Sequence, residues 1–275
     1  MIENNPLRQY FRRPAIYIKL PSEYASYTAD IIDVPENREL PVYPMTAIDE
    51  ITLNTPDALF NGTAVVEIIK SCIPSIKDPW RLSGVDLDTT LIAIKAAAGG
   101  NDMDVETICP SCEEPTTYAV NLVGLLTSIK SGDYSTELSV NDLLIKFRSL
   151  TFKELTDIGL GQFELQKMFV TINATENVTE KTAKQHEALK MITEITIKVL
   201  SKAIEYIKTP SSYVKENDFI IDFLTNCDKK MFDTIRKHHT DLKAQSEVKP
   251  LHVKCTHCEH EYDQAFSINA ADFFG

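Results

Sequence analysis

Hydrophobic residues recur along the chain at two spacings, and the switches between them predict its elements. Period-two pieces come first: Ile16-Tyr17-Ile18-Lys19-Leu20 and Glu50-Ile51-Thr52-Leu53 read as short strands in a segment interrupted by Pro21, Pro35, Pro41 and Pro44. Helical signals follow. Thr55-Pro56 supplies an N-cap and a first-turn proline, and Asn61-Gly62-Thr63 stops that helix and caps the next, Ala64 to Cys72. Asp86 or Asp88 caps a third helix running to Ala98, which Gly99-Gly100 ends in the left-handed position. Alternation returns in Met103 to Ile108 and Thr116 to Leu122, a hairpin whose tip carries two cysteines.

Beyond it the spacing becomes mainly helical. Asn121 to Lys130 reads as a short helix, and Ser135 to Val140 with Leu143 to Arg148 as a hairpin turned at Asn141-Asp142. Thr151-Phe152-Lys153-Glu154 has the form of a capping box and opens a mainly helical region extending to about Val248. Within it Leu189, Ile192, Ile195, Val199, Ala203 and Ile207 recur at three- and four-residue steps. They predict one apolar stripe on one long helix, facing either a partner helix or, as the favoured reading, the chain's own Phe219 to Leu224 and Met231 to Ile235. Cys72 reads as a core residue and Cys227 as core or helix end. The basic run Arg236-Lys237-His238-His239 reads as a solvated helix face. Arg8, Arg12 and Arg13 offer either a docking segment for an acidic partner or a disordered end.

Composition narrows the class. With 275 residues, 43% of them hydrophobic, the chain can bury a sizeable core in one large domain or two smaller ones. The elements suggest residues 1–122 with 249–275 as one mixed domain and 123–248 as a helical insertion. A net charge of −12 disfavours nucleic acid as a partner. No signal peptide is recognisable, and apolar stretches such as Leu91 to Ala98 fall short of the ~18 residues a membrane span needs. The expected compartment is therefore a cytosol, where paired Cys-x-x-Cys spacings point to metal or redox chemistry.

Four of the six cysteines are so paired, in Ile108-Cys109-Pro110-Ser111-Cys112-Glu113 and Lys254-Cys255-Thr256-His257-Cys258-Glu259. Both pairs follow the order strand, Cys-x-x-Cys, polar turn, strand. Two intervening residues let the chain turn so that both thiolates face one ion, and two such knuckles complete a tetrahedral shell. Cys109, Cys112, Cys255 and Cys258 are thus expected to hold structural zinc, with iron as the competing metal. The expected fold class is α+β, with strand-rich ends joined by a four-cysteine zinc ribbon. A redox dithiol is less well matched, because both pairs sit between strands and not at a helix start. His257 and His260 read as exposed turn residues, since four cysteines already close the shell. A closed shell leaves no open position for water, and neither a nucleophile elbow, a phosphate-binding glycine loop nor a dinucleotide fingerprint is present. The sequence reads as non-enzymatic, with no small-molecule substrate. A zinc-ribbon nucleic-acid adaptor is the alternative, and Glu106, Glu113, Glu114, Glu259 and Glu261 around the knuckles oppose it.

Leu40-Pro41-Val42-Tyr43-Pro44-Met45-Thr46, Thr55 to Gly62, Asp86-Leu87-Asp88 through Ile94, and the ending Asp272-Phe273-Phe274-Gly275 carry a further signal. These stretches resemble the baseplate hub proteins of T-even-type, contractile-tailed bacteriophages. The resemblance implies a structural or assembly role through contacts with other hub and tail proteins in the host cytoplasm during assembly, either as a component of the virion tail baseplate or as an assembly factor that leaves. It brings no catalytic residues, and self-association is left open.

Overall fold

The computed structural model describes residues 5–53 and 61–266 of the α+β chain. The chain divides into two compact units, Met1–Lys130 with Glu247–Gly275, and Ser131–Ser246.

Among its described residues the first unit combines three two-stranded antiparallel sheets with four α-helices. Strand β1 (Ile16–Ile18) pairs with β2 (Leu40–Val42), β3 (Asp102–Ile108) with β4 (Pro115–Asn121), and β9 (Leu251–Lys254) with β10 (Glu261–Gln264). The helices are α1 (Ala47–Leu53), α2 (Thr63–Cys72), α3 (Gly84–Gly99) and α4 (Leu122–Ser128). Helix α3 is apolar nearly all round, with Val85, Leu87, Leu91, Ile92, Ala93, Ile94 and Ala96 all buried, the pattern of a helix enclosed in a core. The polar residues buried with it are satisfied locally. Thr89 and Thr90 donate to the carbonyls of Val85 and Leu87, and Asp86 accepts from the Ser22 amide and the Tyr27 and Ser83 hydroxyls.

Several expectations for this unit are corrected. Glu50 to Leu53 is not a strand but the end of α1, because Thr46 and Asp49 cap its start reciprocally: each backbone amide donates to the other's side chain. Neither Asp86 nor Asp88 caps α3. Ser83 does, in extended backbone, its hydroxyl accepting from the Asp86 amide. Gly100 has φ +113° but an extended ψ of −176°, so α3 ends outside the left-handed helical well. Arg12 is neither a free docking residue nor disordered; half-buried beside α1 and α2, it donates to the Pro44 and Ser71 carbonyls. The cap expected at Thr55-Pro56 and the ending at Asp272 to Gly275 lie outside the described residues.

In the second unit β5 (Glu137–Val140), β6 (Leu143–Phe147), β7 (Ile204–Lys208) and β8 (Tyr213–Val214) form one antiparallel sheet in that order. Four helices accompany it: α5 (Phe152–Ala174), α6 (Val178–Ala203), α7 (Asn217–Asn226) and α8 (Lys229–Ser246). Asn141, at φ +51°, makes the expected turn, and the Thr151–Glu154 capping box is complete. Ile145, Phe147, Leu200, Ala203, Ile204, Ile220, Leu224 and Ile235 make the core.

The long apolar stripe does not stay on one helix. α6 ends at Ala203, and Ile207 lies on β7 opposite Ile145 and Val214. A register irregularity at Lys146/Phe147 pairs Phe147 with Ile204 and Lys146 with Tyr206. That irregularity brings Ile204 and Ile207 to the same core at a spacing that mimics a helix. The histidine pair is likewise not a solvated face. His238 and His239 are half-buried against Phe147, at centroid distances of 5.1 and 6.3 Å, and burial pushes the His239 pKa down.

Candidate metal centre

The centre lies at the tips of two hairpins of the first unit. In each, a strand delivers a buried cysteine, Cys109 after β3 and Cys255 after β9. The backbone then closes the same loop twice. The Cys109 amide donates to the Glu114 carbonyl at 3.0 Å and the Glu113 amide to the Cys109 carbonyl at 2.9 Å. The Cys255 amide donates to His260 at 2.9 Å and the Glu259 amide to Cys255 at 3.1 Å. Glu113 and Glu259, each directly after the second cysteine, both adopt left-handed backbone, at φ +59° and +57°. Sequence reasoning missed this pair because glutamate gives no signal for that conformation.

The four sulfurs of Cys109, Cys112, Cys255 and Cys258 all lie within 4.8 Å of one another. Cys109 and Cys258 are 3.7 Å apart, as are Cys112 and Cys255, so the close pairs run across the two hairpins. These separations are far too long for a disulfide, whose sulfurs sit about 2.05 Å apart. Four sulfurs placed about 2.3 Å from a central ion stand about 3.8 Å apart in a tetrahedron, so the donor set fits a metal ion.

Polar groups are aimed at the sulfurs. The Ser111 amide donates to Cys109 Sγ at 3.4 Å and the His257 amide to Cys255 Sγ at 3.3 Å. The buried hydroxyl of Thr116 lies 3.3 Å from Cys255 Sγ. That hydroxyl first, and the Cys258 amide next, draw the Cys255 pKa down to about 5. At Cys112 the Glu114 amide acts in the same direction, but desolvation and the other three thiols outweigh it and push the pKa up to about 12. Loading the full set with an ion displaces the protons that its thiols still carry. Thr116 is a second residue that sequence reasoning missed, for it reads there as one more position of an alternating strand. Thr107 on β3 donates to Gln264 on β10 at 2.7 Å and ties the hairpins together beyond the tips.

His257 and His260 are exposed, as expected of turn residues. His252 on β9 pairs across the hairpin with Asp263 at 3.1 Å, and that hydrogen bond raises its pKa. Cys72 is fully buried in the core, and Cys227 forms the half-buried C-cap of α7.

Fold and site together define an α+β protein whose distant cysteine pairs meet in a set able to hold a metal ion. The chain belongs to the T4 bacteriophage base plate protein family, whose model matches residues 27–275. No curated protein and no solved structure gives a match. Among the described residues, no helix is long and apolar enough to cross a membrane.

Proposed function

We propose that this chain is a non-enzymatic structural or assembly protein of the tail baseplate hub, acting through protein–protein contacts. In this reading Cys109, Cys112, Cys255 and Cys258 hold one structural zinc ion in a zinc ribbon, and residues 123–248 form a helical insertion between its knuckles. The observation that carries it is the gathering of four sulfurs, from cysteine pairs 143 positions apart, in a base plate family chain. Four protein ligands fill a tetrahedral shell, which suits a structural ion and leaves no site for substrate or water. Its contribution is then mechanical: it fixes two hairpins and the surfaces they carry. Its partners are other baseplate hub and tail proteins, met in the host cytoplasm during assembly and retained in the virion tail. Acidic neighbours, Glu106, Glu113, Glu114, Glu259 and Glu261, favour protein over nucleic acid as partner.

Elemental analysis of the purified protein tests the centre, with one zinc per chain expected. Folded protein that carries iron, or no metal at all, overturns the zinc assignment. Mass spectrometry of purified virions tests the location. A chain absent from particles, together with normal particle assembly when its gene is deleted, overturns the baseplate role.

A further inference from the structure

The second unit carries an elongated groove between α6 and α7, with a volume of about 820 Å³. Leu189, Thr193 and Ile197 line it from α6, and Asn217, Ile221 and Thr225 from α7. Each set repeats at four-residue steps, so each presents one face of its helix. The surface is mainly apolar, and Leu189 within it is 62% exposed, an aliphatic side chain left in water.

Along the α6 rim stand Lys190, Glu194, Lys198 and Lys202, again one residue per turn. Lys190 and Glu194 pair at 3.8 Å across exposed side chains, whereas Lys198 and Lys202 have no acidic partner among the described residues. A chain of net charge −12 therefore places a positive edge beside its apolar groove. From Lys190 to Lys202 the rim is about 18 Å long, three turns of helix.

We infer that this groove receives an amphipathic helix of a partner protein, with an aliphatic face and acidic flanks. Aliphatic residues one turn apart would fill the space over Leu189, Ile197 and Ile221, and carboxylates would meet Lys198 and Lys202. A second copy of this chain suits the groove less well. A two-fold contact would set the same lysine rim against itself. The inference does not rest on the zinc centre, which belongs to the other unit.

The test uses the full-length protein and a fluorescein-labelled model helix of about four turns, leucine on one face and glutamate elsewhere. Its counterpart carries lysine in place of glutamate. Fluorescence anisotropy is expected to show the acidic peptide bound at least about tenfold more tightly. Leu189→Asp, and Lys198→Glu with Lys202→Glu, each lower that affinity about tenfold, while Lys237→Glu on α8 leaves it unchanged. Unchanged circular dichroism shows that these exposed-site variants fold. Equal binding of the two peptides, no binding of either, or indifference to the groove variants overturns the inference. So does a concentration-dependent dimer in sedimentation that Leu189→Asp abolishes, which would make a second copy the occupant.

Discussion

Arg12 and Ser71 stand 59 positions apart, yet the Arg12 guanidinium donates to the Ser71 carbonyl at 2.8 Å and its hydroxyl oxygen at 2.9 Å. The other arm of the fork donates to the Pro44 carbonyl at 2.7 Å and lies 3.5 Å from Asp49. Asp49 is buried, and the Ser71 hydroxyl donates to it at 3.0 Å. One side chain thus joins the amino-terminal segment to the start of α1 and the end of α2.

Removing that fork takes a donor from the Pro44 and Ser71 carbonyls and the only paired cation from the buried Asp49 carboxylate among the described residues. Arg12→Ala is expected to lower unfolding free energy by about 2 kcal/mol, with the partial exposure of Arg12 keeping the loss below that of a fully buried pair. Arg12→Lys recovers less than half, because an ammonium cannot serve both arms. Urea denaturation followed by circular dichroism measures both. A loss under about 0.5 kcal/mol would show that water replaces the fork.

Asp88, on α3, gives the first unit a pH dependence. Desolvation alone pushes its pKa up, from 3.8 to about 7. Between those values the folded chain holds a proton that the unfolded chain has released. The contribution of Asp88 to stability is therefore greatest below about pH 4, falls as pH rises towards 7, and stays at the lower level above it. Asp88→Asn removes this slope and is expected to add on the order of 3 kcal/mol at pH 8 and little at pH 4. Urea titrations at the two pH values decide it; equal effects at both would mean that Asp88 is solvated.

Thr116 acts on the proposed metal through Cys255. Thr116→Val keeps the shape of the buried side chain and removes the hydroxyl beside the sulfur. Metal retention against a chromogenic chelator is expected to weaken about tenfold with the fold intact, the scale usual for a group that supports a ligand. Thr116→Ser should restore it. Equal retention in all three proteins would reduce Thr116 to a packing role.

Glu113 and Glu259 offer a gain. Each holds left-handed backbone at a cost of about 1 kcal/mol that glycine avoids, partly offset by glycine's larger freedom when unfolded. Glu113→Gly and Glu259→Gly should each raise stability by about 0.5 kcal/mol. Thermal melts of the two variants check this. Destabilisation would show that the carboxylates contribute more than the backbone strain removes.

What the sequence made legible was local. The Thr151–Glu154 box, the Asn141 turn and the two cysteine-tipped hairpins are each decided within about six residues, by caps, turn chemistry and alternation. Glu50 to Leu53 alternates convincingly, but its conformation was settled upstream by Thr46 and Asp49. Ile207 continued a helical spacing that a sheet irregularity produces equally well. Arg12, Thr116 and the pair His238-His239 were misread or missed for a different reason. Their roles depend on partners 59, 139 and about 90 residues away, and spacing along the chain carries no trace of such contacts.

The sulfur pairs also impose an order on biosynthesis. Cys112 and Cys255 are separated by 143 residues, and the whole of the second unit is encoded between them. A ribosome therefore releases the first knuckle long before its mate exists, and Cys109 and Cys112 must wait as an incomplete donor pair. Meanwhile the intervening unit emerges as an open-ended segment, free to form its own sheet and core before its two flanks are pinned. Closure of the cysteine set then comes last, so a chain that stalls before Cys255 cannot counterfeit the finished protein.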